Sequence, residues 1–170
     1  GDDSPIPDPL IWLTYVAAAT QAINLATGIL ILPQRNPVVL AKELATLDFM
    51  SNGRMLLGTG VGWMKEEFDA IGVPFNERGK RNDENIAAMR ALWSEDKASY
   101  HGEFVNFDNC ILRPQPVKGS IPIHIGGSTD IAAKRAGRLG DGFFPAGGSH
   151  EELARIIGVT RESAIKHGRN

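Results

Sequence analysis

Two spacings of apolar residues alternate along this chain. One repeats every three to four residues, as one face of a helix does; the other is a short unbroken apolar run closed by glycine or proline, as in a buried strand. Asp8 and Pro9 open the first helical stripe, which continues through Leu10, Leu13 and Val16 or Ala17 and ends near Ala22. Ile23–Leu32 reads as one buried strand with Thr27-Gly28 in its middle, and Pro33 ends it. Asn36-Pro37 repeats the cap-then-proline signal, and Leu40, Ala41, Leu44 and Leu47 form the next stripe, stopped by Asn52-Gly53. Met55–Leu57 is a strand running into the alternating glycines Gly58, Gly60 and Gly62.

A short acidic helix follows over Met64–Ile71, then a loop from Gly72 to Arg78, then a longer helix with Ile86, Met89, Leu92 and Trp93 on one face. Ser99–Leu112 breaks the alternation, with Tyr100, Phe104, Val105, Phe107 and Ile111 around His101-Gly102 and Asp108-Asn109, and reads as an inserted antiparallel hairpin. Ile121–Ile125 is the third strand of the main series and ends at Gly126-Gly127. Ser128 or Thr129 caps the helix that Gly140 stops, and Asp141–Phe144 is the fourth strand. Ser149 and Glu152 form a capping box for the last helix, which Gly158 bends or splits. Residues 1–9 are acidic, proline-rich and loop-like. Strands alternating with helices predict an α/β fold with a parallel sheet. A single domain is expected over residues 1–170, with an insertion over about 94–120.

Composition narrows the function classes. The chain of 170 residues is 42% hydrophobic and 22% charged with a net charge of −2, which argues against a nucleic-acid surface. Its single cysteine, Cys110, excludes an intrachain disulfide framework and fits a reducing compartment, so a cytoplasmic location is expected. The apolar stretch Leu10–Ala19 is too short to span a bilayer and lacks the basic flank of a signal peptide.

Two glycine-rich strand ends carry the candidate chemistry. Gly58-Thr59-Gly60-Val61-Gly62 fails as a dinucleotide fingerprint, because Trp63 stands where the third glycine belongs. It lines a pocket where a flat ligand approaches the backbone, or it makes a tight turn. Gly126-Gly127-Ser128-Thr129 follows a strand and opens a helix, which suits an anion through free N–H groups, the helix dipole and two hydroxyls. The plainer alternative there is an ordinary cap. His150-Glu151 starts a zincin-like string that Ala154 ends, and His101, His124 and His167 lack metal-ligand spacing, so no metal is expected. His124 reads as a hydrogen-bonded core residue, and Glu66-Glu67 as a solvated helix face.

Several strings together resemble the bacterial luciferase-like monooxygenase superfamily. They are Leu32-Pro33-Gln34-Arg35-Asn36-Pro37, Asp48-Phe49-Met50-Ser51-Asn52-Gly53-Arg54, Leu57–Trp63 with Glu67-Phe68, Tyr100-His101-Gly102-Glu103-Phe104, Arg113-Pro114-Gln115-Pro116, Ile125-Gly126-Gly127-Ser128 and Gly140-Asp141-Gly142-Phe143. The chain looks most like the deazaflavin-dependent branch, from about Asp8 to Asn170. The resemblance implies a TIM (β/α)8 barrel with an inserted hairpin, binding coenzyme F420, or alternatively FMN, at the carboxyl ends of its strands. By residue match it places a cis peptide at Gly28-Ile29, with Thr27, Gly28, Ile29, Gly60 and Gly62 beside the ring system. It places the cofactor phosphate at Gly126, Gly127, Ser128 and Thr129. It implies an oxidoreductase acting on a small molecule, and a homodimer paired through barrel helices.

A full barrel takes about 250 residues, and only four strand–helix units are legible here. The chain resembles the family's middle, without the second-strand loop that often carries a catalytic histidine. Trp63 stands where some deazaflavin dehydrogenases carry a glutamate acid, so no catalytic residue is assigned. The competing reading is a truncated, non-catalytic half-barrel that oligomerises or binds.

Overall fold

The computed structural model describes residues 5–169; the first four positions of the expected amino-terminal loop, and Asn170, lie outside the described residues. Helix α1 (Pro9–Ala19) is capped by Asp8, whose carboxylate accepts from the N–H groups of Leu10 (2.9 Å) and Ile11 (3.2 Å). It stops before the expected Ala22 because Arg54 takes up its carboxyl end. The guanidinium donates to the carbonyls of Ala17 and Thr20 at 3.0 Å and of Ile23 at 2.9 Å, groups that a helix end leaves without partners.

The single strand expected over Ile23–Leu32 is two short ones, β1 (Leu25–Ala26) and β2 (Leu30–Ile31), followed by a 3-10 turn at Leu32–Gln34. Both pair in parallel with β3 (Met55–Gly60), but Ala26 faces Leu56 while Leu30 faces Thr59. Residues 27–29 therefore stand opposite only Leu57 and Gly58. The extra residue cannot stay in the ladder and is displaced from it, as in a β-bulge. Gly28-Ile29, at the centre of the displaced segment, is a cis peptide bond, as is Arg113-Pro114.

Helix α2 (Pro37–Met50) has its Asn36 cap, accepting from Val38 at 3.0 Å and Val39 at 3.2 Å, and its left-handed stop at Asn52 and Gly53 (φ 59° and 76°). Then come α3 (Lys65–Ala70), a 3-10 turn within the expected loop at Phe75–Glu77, and α4 (Arg78–Ser94). The insertion is an antiparallel hairpin of β4 (Ala98–His101) and β5 (Asn106–Cys110). It is tied to α4 by Glu84, whose carboxylate accepts from the N–H groups of Glu103 (3.1 Å), Phe104 (2.8 Å) and Val105 (2.6 Å). Strand β6 (Ile123–Gly127), α5 (Asp130–Leu139), β7 (Gly142–Pro145) and α6 (His150–Lys166) complete the series. The Ser149–Glu152 capping box is present, and α6 runs unbroken through Gly158.

The parallel sheet has the order β1–β3–β6–β7, with β2 beside β3. One face meets the helices. Leu25, Leu30, Met55, Leu57, Ile123 and Ile125 of the strands pack with Leu40 and Leu44 of α2 and Ile86, Met89 and Trp93 of α4. Each such side chain, fully buried, contributes about 1.5–3 kcal/mol. The alternate positions of the strands, among them Gly58, Gly60, His124, Gly126, Gly142 and Phe144, face the other, concave side. The result is a curled half-barrel whose strands all point the same way.

Candidate functional site

Because the strands are parallel, their carboxyl ends lie together with the turns that follow β3 and β6, and the displaced segment stands opposite the middle of β3, from where the Ile29 side chain reaches toward Gly60 and Gly126. Thr27 is buried, and its hydroxyl donates to the Gly58 carbonyl at 2.7 Å, which fixes the start of the displaced segment. Gly28 is exposed on the concave side, and a Cβ there would lie 3.7 Å from Cζ and 3.9 Å from Cε1 of the Phe144 ring.

Ile29 reaches back over the sheet. A Cβ on Gly60 would lie 2.7 Å from its Cδ1, and a Cβ on Gly126 would lie 2.7 Å from its Cγ2. Both glycines thus make room for Ile29, whose side chain is part of the surface the concave side presents at that level. Gly62, in the left-handed region at φ 78°, packs against Ile31 and Phe68 instead, 2.9 Å from each for a Cβ, and its carbonyl accepts from Arg78 at 3.2 Å. It belongs to the turn between β3 and α3, set apart from the Ile29 cluster. Beyond it Trp63 is 78% exposed.

The turn after β6 holds Gly127 at φ 142°, then Ser128 and Thr129, both exposed. Thr129 is the cap of α5: its hydroxyl accepts from Ala132 at 3.2 Å, leaving the Ser128 hydroxyl outside that role. The first N–H groups of a helix have no partner inside it, so the turn presents donors aligned with the dipole. Asp130 in that first turn brings a negative charge, and Arg155 from α6 pairs with it at 2.8 Å.

A second Gly-Gly-Ser turn, Gly147-Gly148-Ser149, opens α6, and Ala146 donates to the Gly127 carbonyl at 3.3 Å, so the two turns start side by side. This second turn is already served by carboxylates. Glu152 accepts from the Ser149 N–H at 2.9 Å. Glu151 is held below its ordinary carboxylate range by its own backbone N–H and then by the Ser149 hydroxyl. Among the described residues no carboxylate accepts from the N–H groups of the turn after β6, where the Thr129 hydroxyl takes only that of Ala132, so its residues fit the phosphate of a cofactor better. The sequence shows the second turn only as the Ser149–Glu152 capping box and Phe144 only as a strand residue, and gives no role to Arg155; the repeated Gly-Gly-Ser string is the signal that relates the two turns.

His124 is half-buried and its ring packs against Gly142, where a Cβ would lie 2.7 Å from Nε2. His101 pairs with Asp108 at 3.1 Å on the hairpin, away from the strand ends.

The chain matches the luciferase-like monooxygenase family model over residues 1–170. It belongs to that family. An uncharacterized protein of Mycobacterium tuberculosis is 39% identical over 138 residues, covering 81% of this chain and 49% of that protein. The FMNH(2)-dependent dimethylsulfone monooxygenase of Pseudomonas putida is 36% identical over 155 residues, covering 89% of this chain and 42% of that enzyme. Among solved structures, an F420-dependent secondary alcohol dehydrogenase in complex with an F420-acetone adduct superposes with a TM-score of 0.90 at 25% identity, covering 99% of this chain and 52% of that one. The chain thus spans about half the length of these relatives. The half-barrel is the corresponding part of a luciferase-like TIM barrel.

Proposed function

We propose that this chain forms the cofactor-holding part of an oxidoreductase that moves a hydride to or from coenzyme F420 during the conversion of a small-molecule substrate. The observation that carries the reading is that Ile29 lies over Gly60 and Gly126 on the concave face, and that β6 runs on from Gly126 into the Gly127-Ser128-Thr129 turn that opens α5. The chemistry is the cofactor's: a ring that accepts or returns a hydride. The chain's own residues bind and orient. Ile29 and Gly28 offer an apolar face to a flat ring, and the N–H groups after Gly127 hold a phosphate, aided by the Ser128 hydroxyl and the α5 dipole. The likeness to the F420-dependent alcohol dehydrogenase favours F420. The identity to the dimethylsulfone monooxygenase favours FMN as the second reading.

The test is titration of the chain with F420 and with FMN, followed by the cofactor's own absorbance and emission. Saturable change with F420 at lower concentration than with FMN is the expected result. No change with either overturns the reading and leaves the non-catalytic binding module.

Assembly as a homodimer goes with this reading. Helix α1 carries no charged residue and exposes Ile11, Trp12 and Tyr15, and α2 exposes Phe49 and Met50. An apolar surface of this kind is buried best by a second copy of itself. Sedimentation of a monomer at micromolar concentration would overturn that part alone. Among the described residues no helix is long and apolar enough to cross a membrane, and the proposed compartment is the cytoplasm.

A further inference from the structure

Two phenylalanines follow each other on β7, and they point to opposite faces of the sheet. Phe143 is packed against the hydrophobic core, which accounts for it. Phe144 is on the concave side and is 51% exposed. Its register partner on β6 is Gly126, and one position past the paired Thr59 and Ile125 stand Gly60 and Gly126. Those glycines carry no side chain to cover the ring. Its far edge stands beside Gly28, since Phe144 Cζ and Cε1 lie 3.7 Å and 3.9 Å from where a Cβ on Gly28 would be. A side chain on the last strand of the sheet thus reaches the displaced segment between its first two. At this level Ile29 and Phe144 provide the apolar surface of the concavity.

We infer that Phe144 is a binding residue for the planar ring of the cofactor, forming with Ile29 the apolar surface against which that ring packs. The inference rests on the cofactor reading above and adds a residue to it. A half-exposed aromatic ring beside a glycine is suited to a flat polycyclic ligand, because aromatic faces gain from offset or edge contact beyond the area they bury. No other described role takes up its exposed surface, since the helices pack on the opposite face of β7.

The test uses the whole chain, with F420 and FMN as probes and Phe144→Ala and Phe144→Trp as variants. Half-exposure predicts that both variants melt near the parent. Phe144→Ala is expected to weaken cofactor binding about 3- to 10-fold, the range that one aromatic contact supplies. Phe144→Trp is expected to bind with the parent's affinity or better and to quench the bound cofactor's emission, as an indole in contact with the ring does. Unchanged affinity in Phe144→Ala, or weakened affinity without quenching in Phe144→Trp, overturns the inference and leaves the cofactor reading standing. If the parent chain itself binds neither probe, the cofactor reading falls and this inference falls with it.

Discussion

The Cδ1 of Ile29 stands 2.7 Å from where a Cβ on Gly60 would lie. The glycine strand end therefore does its work through a neighbour. It lets the displaced segment fold down onto β3, and the segment's own side chain then faces the concavity. Gly58 serves the same contact more strictly, because a Cβ there would come within 2.0 Å of the Thr27 carbonyl oxygen.

These two glycines predict opposite outcomes in a rescue experiment. Gly60→Ala is expected to cost about 1–3 kcal/mol by overpacking. Ile29→Val alone is expected to cost about 0.5–1.5 kcal/mol. Shortening Ile29 removes the atom in the way, so the double variant should be more stable than the sum of the two, with a coupling of about 1 kcal/mol. Gly58→Ala meets backbone and should not be rescued by Ile29→Val. Chemical denaturation of the three single and two double variants checks this; equal rescue at both glycines would refute it.

The turn after β6 predicts a separation between stability and binding. Thr129 is the cap, so Thr129→Ala should lower stability by about 1 kcal/mol. Ser128 is exposed and outside that role, so Ser128→Ala should leave the melting temperature unchanged and weaken cofactor binding. Gly127→Val should be destabilising with or without ligand: its φ of 142° disfavours a side chain, and a Cβ would lie 2.6 Å from that of Ala132. Melts and cofactor titrations of the three variants, run together, measure both effects. A Ser128→Ala variant that melts lower and binds normally would reverse the assignment.

How much of this was legible in the sequence follows from the range of each interaction. Caps and stops are local, and Asp8, Asn36, Asn52-Gly53 and the Ser149–Glu152 box appear where their residue types place them. The break between β1 and β2 was not legible, because it is a mismatch in count between two strands 30 residues apart, Leu25 facing Met55, and no single strand's pattern records it. The early end of α1 has the same origin, since Arg54 acts across 37 residues on Ala17. In the candidate site, the residue types at Gly126–Thr129 could be read directly, whereas Phe144 could not: alternation says that it faces away from Phe143, and only the curl of the sheet says that it reaches Gly28.

One carboxylate ties the tip of the inserted hairpin to α4. Glu84 accepts three N–H groups from its tip, and Gly102 is a glycine because a Cβ there would lie 2.1 Å from Glu84 Oε1. Hydrogen bonds to a charged acceptor contribute about 1.5–3 kcal/mol each when well formed. Glu84→Ala is expected to raise amide exchange at Glu103, Phe104 and Val105 by at least tenfold while exchange in the parallel sheet stays unchanged. Tyr100 supplies a second readout. Burial, and after it the Glu84 charge, hold its hydroxyl above the ordinary tyrosine range. Glu84→Gln should therefore move the Tyr100 titration downward, seen by ultraviolet absorbance. No movement would mean that burial alone sets it.

Asp8 and Arg35 give the fold a dependence on acid whose sign can be worked out. The Asp8 carboxylate caps α1 and also accepts from Arg35 Nη2 at 2.5 Å, joining α1 to the segment that follows β2. The Arg35 hydrogen bond is the main reason that its carboxyl lies below the ordinary range; burial works against this, and the Ile11 N–H, the Arg35 charge and the Leu10 N–H add to it. A carboxyl whose folded value is depressed contributes stability above its unfolded value, near 3.9, and loses it as pH falls through the folded value. The window thus opens near pH 4 and extends below it. Asn is as good a cap as Asp but carries no charge. Asp8→Asn should therefore melt a little below the parent at pH 7 and converge with it as pH falls below about 4. Asp8→Ala, which loses the cap as well, should stay about 1 kcal/mol below Asp8→Asn at every pH. Parallel melts of the three proteins between pH 7 and pH 3 test this. A constant gap between Asp8→Asn and the parent across that range would show that the Arg35 contact contributes no charge-dependent stability.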